Sequence, residues 1–221
     1  MFEKMLKSSI MLMLYAVAGT GIVAGTYIAT KDKIADNEKK ALLKTIGKII
    51  DGDMYNNDIS TDFYKVKDAE GLGTDSEVTI YRARKDKSDV AAVIKTEAPG
   101  GYGGAIKVLI GINIDGTISG VRVLSHNETP GLGTFIEENK SYKPNTIWIK
   151  SFDGKSLKNP TPDKWAVKKD NKEAPFDQFS GATITPRAVV KSVKNTLLYF
   201  TKNKSKIFST PSDKTNNAEA K

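Results

Sequence analysis

The stretch IKVLIGINIDGTISGVRVL, residues 106–124, predicts a hairpin of an antiparallel sheet. Two apolar segments rich in β-branched residues, 106–114 and 117–124, flank Asp115-Gly116. This dipeptide favours a two-residue hairpin turn. Similar segments precede it at 78–84 and 90–97, and two more strands are predicted at 145–152 and 165–169. The sequence therefore predicts a mainly antiparallel sheet.

Two further patterns predict helices on either side of this sheet. Apolar residues recur at helical spacing within 34–50, which we interpret as a helix that leaves a membrane. A second helix is predicted from Thr185 to about Phe200. Thr185 is expected to cap it with its side-chain oxygen, and Pro186 suits the first helical position because its missing N–H would be unsatisfied there. The predicted fold class is α+β.

The N-terminal region predicts a single membrane anchor. Ser8 to Thr30 contains no charged side chain and exceeds the about 20 residues that a spanning helix requires. A cleaved signal peptide is the alternative, since Ala16-Val17-Ala18 matches a cleavage pattern, but the apolar run continues to Ile28. Lysines precede the span and favour a cytoplasmic N-terminus. The remaining chain is then expected on the periplasmic or, in a single-membrane cell, the extracellular side.

These patterns predict four regions along the chain. Residues 1–30 form the anchor, 31–72 a helical stalk or connection, and 73–201 the main domain. Residues 202–221 are polar and low in apolar content, so they are predicted to be a disordered tail.

Composition excludes several kinds of site. The chain has no cysteine, which rules out disulfides, thiolate catalysis and a cysteine-held iron–sulfur cluster. His126 is the single histidine, so a multi-histidine metal site is impossible. The net charge is +8, but the lysines are interspersed with acids. That pattern favours a solvated surface over nucleic-acid binding.

Two segments contain the residue types of a ligand site. In Asp177-Gln178-Phe179-Ser180-Gly181-Ala182-Thr183, small residues leave the Thr183 hydroxyl accessible just before a predicted helix N-terminus, a position that favours a phosphate. A turn ahead of a capped helix explains the same residues without a ligand. In Ser125 to Thr134, a polar turn precedes two glycines, where backbone can approach a flat ligand closely. Here the alternative is a turn with a helix start at Thr129-Pro130.

The 177–183 segment resembles the motif on which a flavin transferase places FMN through a phosphoester to its final threonine. Together with the 125–134 segment and Gly100-Gly101-Tyr102-Gly103-Gly104, it resembles the G subunit of the Rnf electron-transport complex. The resemblance extends from the anchor to about Phe200. The C subunit of the sodium-pumping NADH:quinone reductase, which shares the motif and the anchor, is an alternative. A non-redox, membrane-anchored binding domain is another.

The resemblance implies an FMN-binding domain that carries covalent FMN, without a catalytic residue or a metal of its own. The implied cofactor-binding residues are Thr183 as the attachment point, Ser180, Gly181, Ala182, Thr185, Glu128, Thr129, Gly131, Leu132 and Gly133. The implied function is electron transfer within a ferredoxin:NAD⁺ oxidoreductase coupled to Na⁺ or H⁺ translocation. The implied partners are integral-membrane and soluble subunits, a flavin transferase and membrane lipid.

Overall fold

The structure, a computed structural model, describes residues 2–213. These residues fall into two compact units, which divide between Lys44 and Thr45. Helix α1 runs from Phe2 to Ile46 and contains a segment that is long and apolar enough to cross a membrane. The predicted anchor and the helix predicted at 34–50 are thus parts of one helix, which ends at Ile46 rather than Ile50.

The second unit contains a five-stranded antiparallel sheet in the order β1-β2-β3-β4-β5, which confirms the predicted fold class. Short helix α2 follows β1, and long helix α3 is the last element of the described chain. A two-stranded sheet, β6-β7, lies between β5 and α3 in the chain. The bounds are β1 Phe63–Val66, α2 Ala69–Leu72, β2 Val78–Lys85, β3 Ser88–Gly101, β4 Gly104–Asn113, β5 Ile118–Ser125, β6 Ser141–Lys143, β7 Thr146–Ile147 and α3 Ile184–Ser209.

The hairpin of β4 and β5 lies at one edge of the sheet and forms where it was predicted, but its loop is Ile114 to Gly116 rather than the predicted two-residue turn. The Asn113 N–H donates to the Thr117 carbonyl at 2.8 Å, and Gly116 adopts a φ of 89°. One Asp115 carboxylate oxygen accepts from both the N–H and the hydroxyl of Thr117. These contacts all lie within residues 113–117, so they form locally.

Each face of the sheet is covered by a different element. Helix α3 packs on one face, where Val189, Val193 and Leu197 are fully buried in the main core. On the other face, Gly111 and Gly120 are opposite each other in β4 and β5, and Ile49 packs over them. A Cβ on Gly111 would collide with Ile49, so the glycine permits this close approach.

Several predicted boundaries differ from the structure. Residues 47–72 are not a helical stalk: they contain a 3-10 turn, β1 and α2, and β1 pairs with β2. The sheet domain therefore begins well before residue 73. The strand predicted at 145–152 is only β7 followed by a 3-10 helix, Trp148–Phe152. The strand predicted at 165–169 is reduced to one bridge between Val167 and Phe176.

The prediction of disorder from residue 202 is wrong for the described part of that region, since α3 continues to Ser209. Ile207 is fully buried in the core. The buried Arg82 guanidinium donates to the Ile207 and Thr210 carbonyls, and Arg84 donates to the Phe208 carbonyl at 2.8 Å. Distant arginines thus satisfy carbonyls at the C-terminus of the helix, which have no intrahelical partners. The rest of the predicted tail, 214–221, lies outside the described residues.

Candidate functional site

The 100–104, 125–134 and 177–183 segments meet at one cavity of about 330 Å³, beside the first turn of α3. Its lining consists of Tyr102, Glu128, Thr129, Leu132, Gly133, Gly181, Ala182, Thr183, Ile184 and Thr185. Eight of the ten predicted site residues are in this lining, and the other two, Ser180 and Gly131, are not. The structure therefore brings together most of the residues that the sequence motifs singled out.

A larger hollow of about 640 Å³ lies beside β5 and is lined by Lys48, His126 and Glu138, among others. It is open and polar, and it contains no residue of the 177–183 segment. The smaller cavity is the better site because it combines apolar walls with a few convergent polar groups.

The 177–183 segment ends in a tight turn that presents Thr183. The Ala182 N–H donates to the Phe179 carbonyl at 3.1 Å, and Gly181 adopts a φ of 75°. Ser180 and Gly181 are exposed at the corner of the turn, while Thr183 is half-buried. Ser180 thus shapes the turn without lining the cavity. Gly131 has a similar part in its own segment, with a φ of 75° and its N–H donating to the Thr134 hydroxyl.

Aromatic packing holds this turn in place. Phe179 is 1% exposed, and its ring centroid lies 5.0 Å from that of Tyr142 and 5.2 Å from that of Trp148. The same two residues also fix the backbone. The Tyr142 hydroxyl donates to the Gln178 carbonyl at 2.7 Å, and the Trp148 indole N–H donates to the Asp177 carbonyl at 2.8 Å.

Asp177 stabilises the start of the 177–183 segment through two ion pairs. Its carboxylate lies 2.7 Å from Lys143 Nζ and 2.6 Å from Lys168 Nζ. Burial alone would raise the pKa of Asp177, but the two ammonium groups outweigh it and hold the pKa below its ordinary value. The motif's aspartate therefore positions the turn from outside the cavity.

The N-terminus of α3 differs from the prediction. The helix begins at Ile184, and Thr183 is the N-cap residue, although its side chain makes no capping hydrogen bond. The Thr183 carbonyl accepts from the Arg187 N–H at 3.3 Å. Thr185 is therefore not the cap: it lies in the first turn, and its hydroxyl donates to Glu128 Oε2. Pro186 is the third helical residue, where an N–H would still have no intrahelical partner.

Glu128, in the 125–134 segment, connects the 100–104 segment to the first turn of α3. It is 5% exposed, and its Oε1 accepts from the Gly103 N–H at 3.0 Å while Oε2 accepts from the Thr185 hydroxyl. Its own N–H donates to His126 Nδ1 at 3.0 Å. Since an N–H can only donate, Nδ1 is the acceptor nitrogen, and the Nε2 side faces Glu137 at 3.3 Å. Both carboxylate oxygens of Glu128 thus accept hydrogen bonds from the protein itself.

Glycines make the approach to Glu128 possible. A Cβ on Gly133 would lie 2.5 Å from Glu128 Oε2, and one on Gly101 would lie 2.7 Å from Oε1. A Cβ on Gly103 would collide with the Asn127 carbonyl. The glycines of both segments are therefore needed for close packing around a buried carboxylate, in addition to any approach of a ligand.

Sequence reasoning missed some lining residues and positioning residues. Tyr102 and Ile184 line the cavity and are 73% and 47% exposed, so they form an apolar rim with Leu132. The position of Tyr102 between glycines is a recognisable signal in the sequence, whereas Ile184 has no such signal.

Arg187 lies in the first turn of α3, a position that would suit a phosphate. Its side chain instead forms two hydrogen bonds of 2.7 Å with Asp170.

These features fit FMN. The cavity volume is within the range of small-molecule sites. The first turn of α3 offers backbone N–H groups that lack intrahelical partners and the positive end of a helix dipole, which suit a phosphate. The apolar rim suits the flat ring system. The fold and the site together define a flavin-binding domain behind an N-terminal apolar helix.

Comparison with known proteins supports the assignment to flavin-binding domains and identifies the family. The FMN-binding domain family matches residues 101–198, and the RnfG N-terminal region matches residues 1–49. The chain is 43% identical to the G subunit of the ion-translocating oxidoreductase complex of Vibrio atlanticus, over 96% of this chain and 97% of the relative. It is 42% identical to the corresponding protein of Shewanella baltica, over 96% of both chains.

The chain belongs to the family of G subunits of the Rnf-type ion-translocating oxidoreductase complex. This confirms the predicted family and places the chain among the redox subunits of a translocase. FMN is the cofactor of its matched domain.

Proposed function

We propose that Thr183 carries FMN through a covalent phosphoester. The observation that carries this proposal is the position of Thr183, between an exposed tight turn and the N-terminus of α3, in the wall of the cavity. The phosphate of the ester would lie next to the helix N-terminus, where backbone N–H groups stabilise negative charge. Gly181 and Ala182 leave space for it beside the hydroxyl. The remaining predicted site residues would hold the ribityl chain and the ring.

The attachment requires a separate, metal-dependent flavin transferase with FAD as donor. The Thr183 oxygen attacks the phosphorus atom on the FMN side of the FAD pyrophosphate. A new P–O bond forms, the pyrophosphate bond breaks, AMP leaves, and the hydroxyl proton passes to a base of the transferase. The exposed Ser180-Gly181 corner makes the turn accessible for this reaction.

The bound flavin supplies one-electron chemistry, and the chain's residues hold it in place. A covalent tether prevents dissociation, so the cofactor stays near its electron donors and acceptors in other subunits whatever its redox state. We assign these neighbours to a ferredoxin:NAD⁺ oxidoreductase coupled to Na⁺ or H⁺ translocation. The sheet domain would lie on the periplasmic or extracellular side, next to membrane lipid.

Denaturing gel electrophoresis tests the attachment. The chain is coexpressed with a flavin transferase, and flavin fluorescence is expected to migrate with the denatured chain. Thr183→Val should abolish this fluorescence, whereas Thr161→Val, which removes an exposed hydroxyl outside the cavity, should retain it. Loss of all flavin from the unmodified chain on denaturation would reject the covalent bond. Absence of flavin before denaturation would favour a non-redox binding domain.

The orientation is testable because the chain has no cysteine. Lys169 is exposed, so Lys169→Cys introduces a single reactive thiol into the sheet domain. A membrane-impermeant maleimide should label it from outside intact spheroplasts. Labelling only after lysis would place the domain in the cytoplasm, and Lys4→Cys provides the control for the opposite side.

A further inference from the structure

We propose that Glu128 is a fixed negative charge that keeps the reduction potential of the bound flavin low. This inference rests on the proposed function, since it requires a flavin in the cavity that Glu128 lines. In a purely structural role, only the hydrogen bonds of Glu128 would matter. In the proposed role, its negative charge also acts on the cofactor. Glu128 is then a positioning residue that also tunes the electron carrier.

The hydrogen bonds of Glu128 can all be made by an ionised carboxylate. Oε1 accepts from the Gly103 N–H and Oε2 accepts from the Thr185 hydroxyl, so each oxygen has a donor. An ionised carboxylate can only accept hydrogen bonds, and here each of its two oxygens accepts one. The carboxylate is also 5% exposed, so water screens its charge little.

No cation neutralises this charge within the part of the chain that the structure describes. None of the ion pairs among residues 2–213 includes Glu128. The basic residues near the 177–183 segment pair with other carboxylates, Arg187 with Asp170 and both Lys143 and Lys168 with Asp177. The single histidine of the chain, His126, uses Nδ1 to accept from the Glu128 N–H.

This charge opposes reduction. An electron that enters the flavin adds negative charge in the cavity unless a proton accompanies it, and a buried carboxylate in the cavity wall repels that charge. The N-terminus of α3 acts in the opposite sense, but its partial positive charge would lie next to the phosphate of the proposed ester. The cavity wall therefore contains one carboxylate and no lysine or arginine among its lining residues.

Glu128→Gln isolates the charge from the hydrogen bonds. The glutamine carbonyl can accept from the Gly103 N–H, and its amide can donate to the Thr185 oxygen, because a hydroxyl both donates and accepts. The flavinylated full-length variant is titrated by spectroelectrochemistry beside the unmodified chain. We expect the reduction equilibrium to shift about tenfold towards the reduced flavin, which equals about 59 mV for a one-electron step.

Glu77→Gln is the matched control. It makes the same charge change at an exposed residue that pairs with Lys65 and does not line the cavity, so no shift is expected. An unchanged or lowered potential in Glu128→Gln would overturn the proposal, as would an equal rise in Glu77→Gln. If the unmodified chain carries no flavin, the proposed function fails instead, so the two failures are distinguishable.

A second measurement covers the case in which Glu128→Gln does not accept flavin. The unmodified flavinylated chain is labelled with ¹³C-glutamate, and infrared difference spectra are recorded on reduction. A labelled carboxylate band that responds to reduction supports an ionised group beside the flavin. A labelled band of a protonated carboxylic acid in the oxidised protein, or no labelled band that responds, overturns the proposal.

Discussion

Phe179→Ala should destabilise the sheet domain strongly, because Phe179 anchors the turn that presents Thr183. The side chain is 1% exposed, and its ring lies within 5.6 Å, between centroids, of Phe135, Tyr142 and Trp148. Truncation of a buried phenylalanine to alanine costs about 3–5 kcal/mol. A cost of about 4 kcal/mol changes the unfolding equilibrium by roughly a thousandfold.

Urea denaturation of the full-length chain in detergent measures this cost. Circular dichroism should report the transition, because tryptophan fluorescence would be altered directly by the loss of a ring beside Trp148. Tyr102→Ala is the control: Tyr102 is an aromatic residue at the same cavity, but it is 73% exposed, so its loss should cost about 0.5 kcal/mol or less. Equal costs for the two variants would refute the view that Phe179 anchors the turn.

Two further perturbations test the supports of the cavity. Gly103→Ala should cost about 1–3 kcal/mol, because its Cβ would collide with the Asn127 carbonyl, whereas Gly52→Ala, with open space around it, should be nearly neutral in the same denaturation assay. Asp177 has a lowered pKa in the folded state, so its contribution to stability is present above the unfolded pKa of about 3.9 and is lost as the pH falls through the folded value. Asp177→Asn should therefore flatten the acid limb of the stability–pH profile, and an unchanged acid limb would contradict this account.

Local patterns predicted the parts of the fold that depend on neighbouring residues. The hairpin of 106–124 forms around Asp115-Gly116, with Ile114 as an additional loop residue, because the turn contacts lie within five residues of one another. Strands β2 to β5 were predicted to within a few residues for the same reason, since apolar β-branched runs are visible in the sequence. The region 145–169 was less predictable, because aromatic packing rather than strand pairing determines its conformation.

The site was predictable as a set of segments but not as a set of contacts. The motif identified Thr183 and the polar turn identified Glu128, and both line one cavity. The partner of Thr185 was not predictable, because its hydroxyl meets a carboxylate 57 positions away in the chain. The role of Asp177 was likewise hidden, since its lysine partners come from two other segments.

The amino-acid sequence by itself determined the apolar N-terminal helix, the antiparallel hairpins and the residues of the flavin motif, because periodicity and turn chemistry act over a few residues. The tertiary structure decided where α3 ends, since Arg82 and Arg84 reach its last carbonyls from β2. It also decided that both oxygens of Glu128 accept hydrogen bonds from the protein in the cavity wall. Burial and long-range hydrogen bonds set these features, and they exist only once the chain has folded.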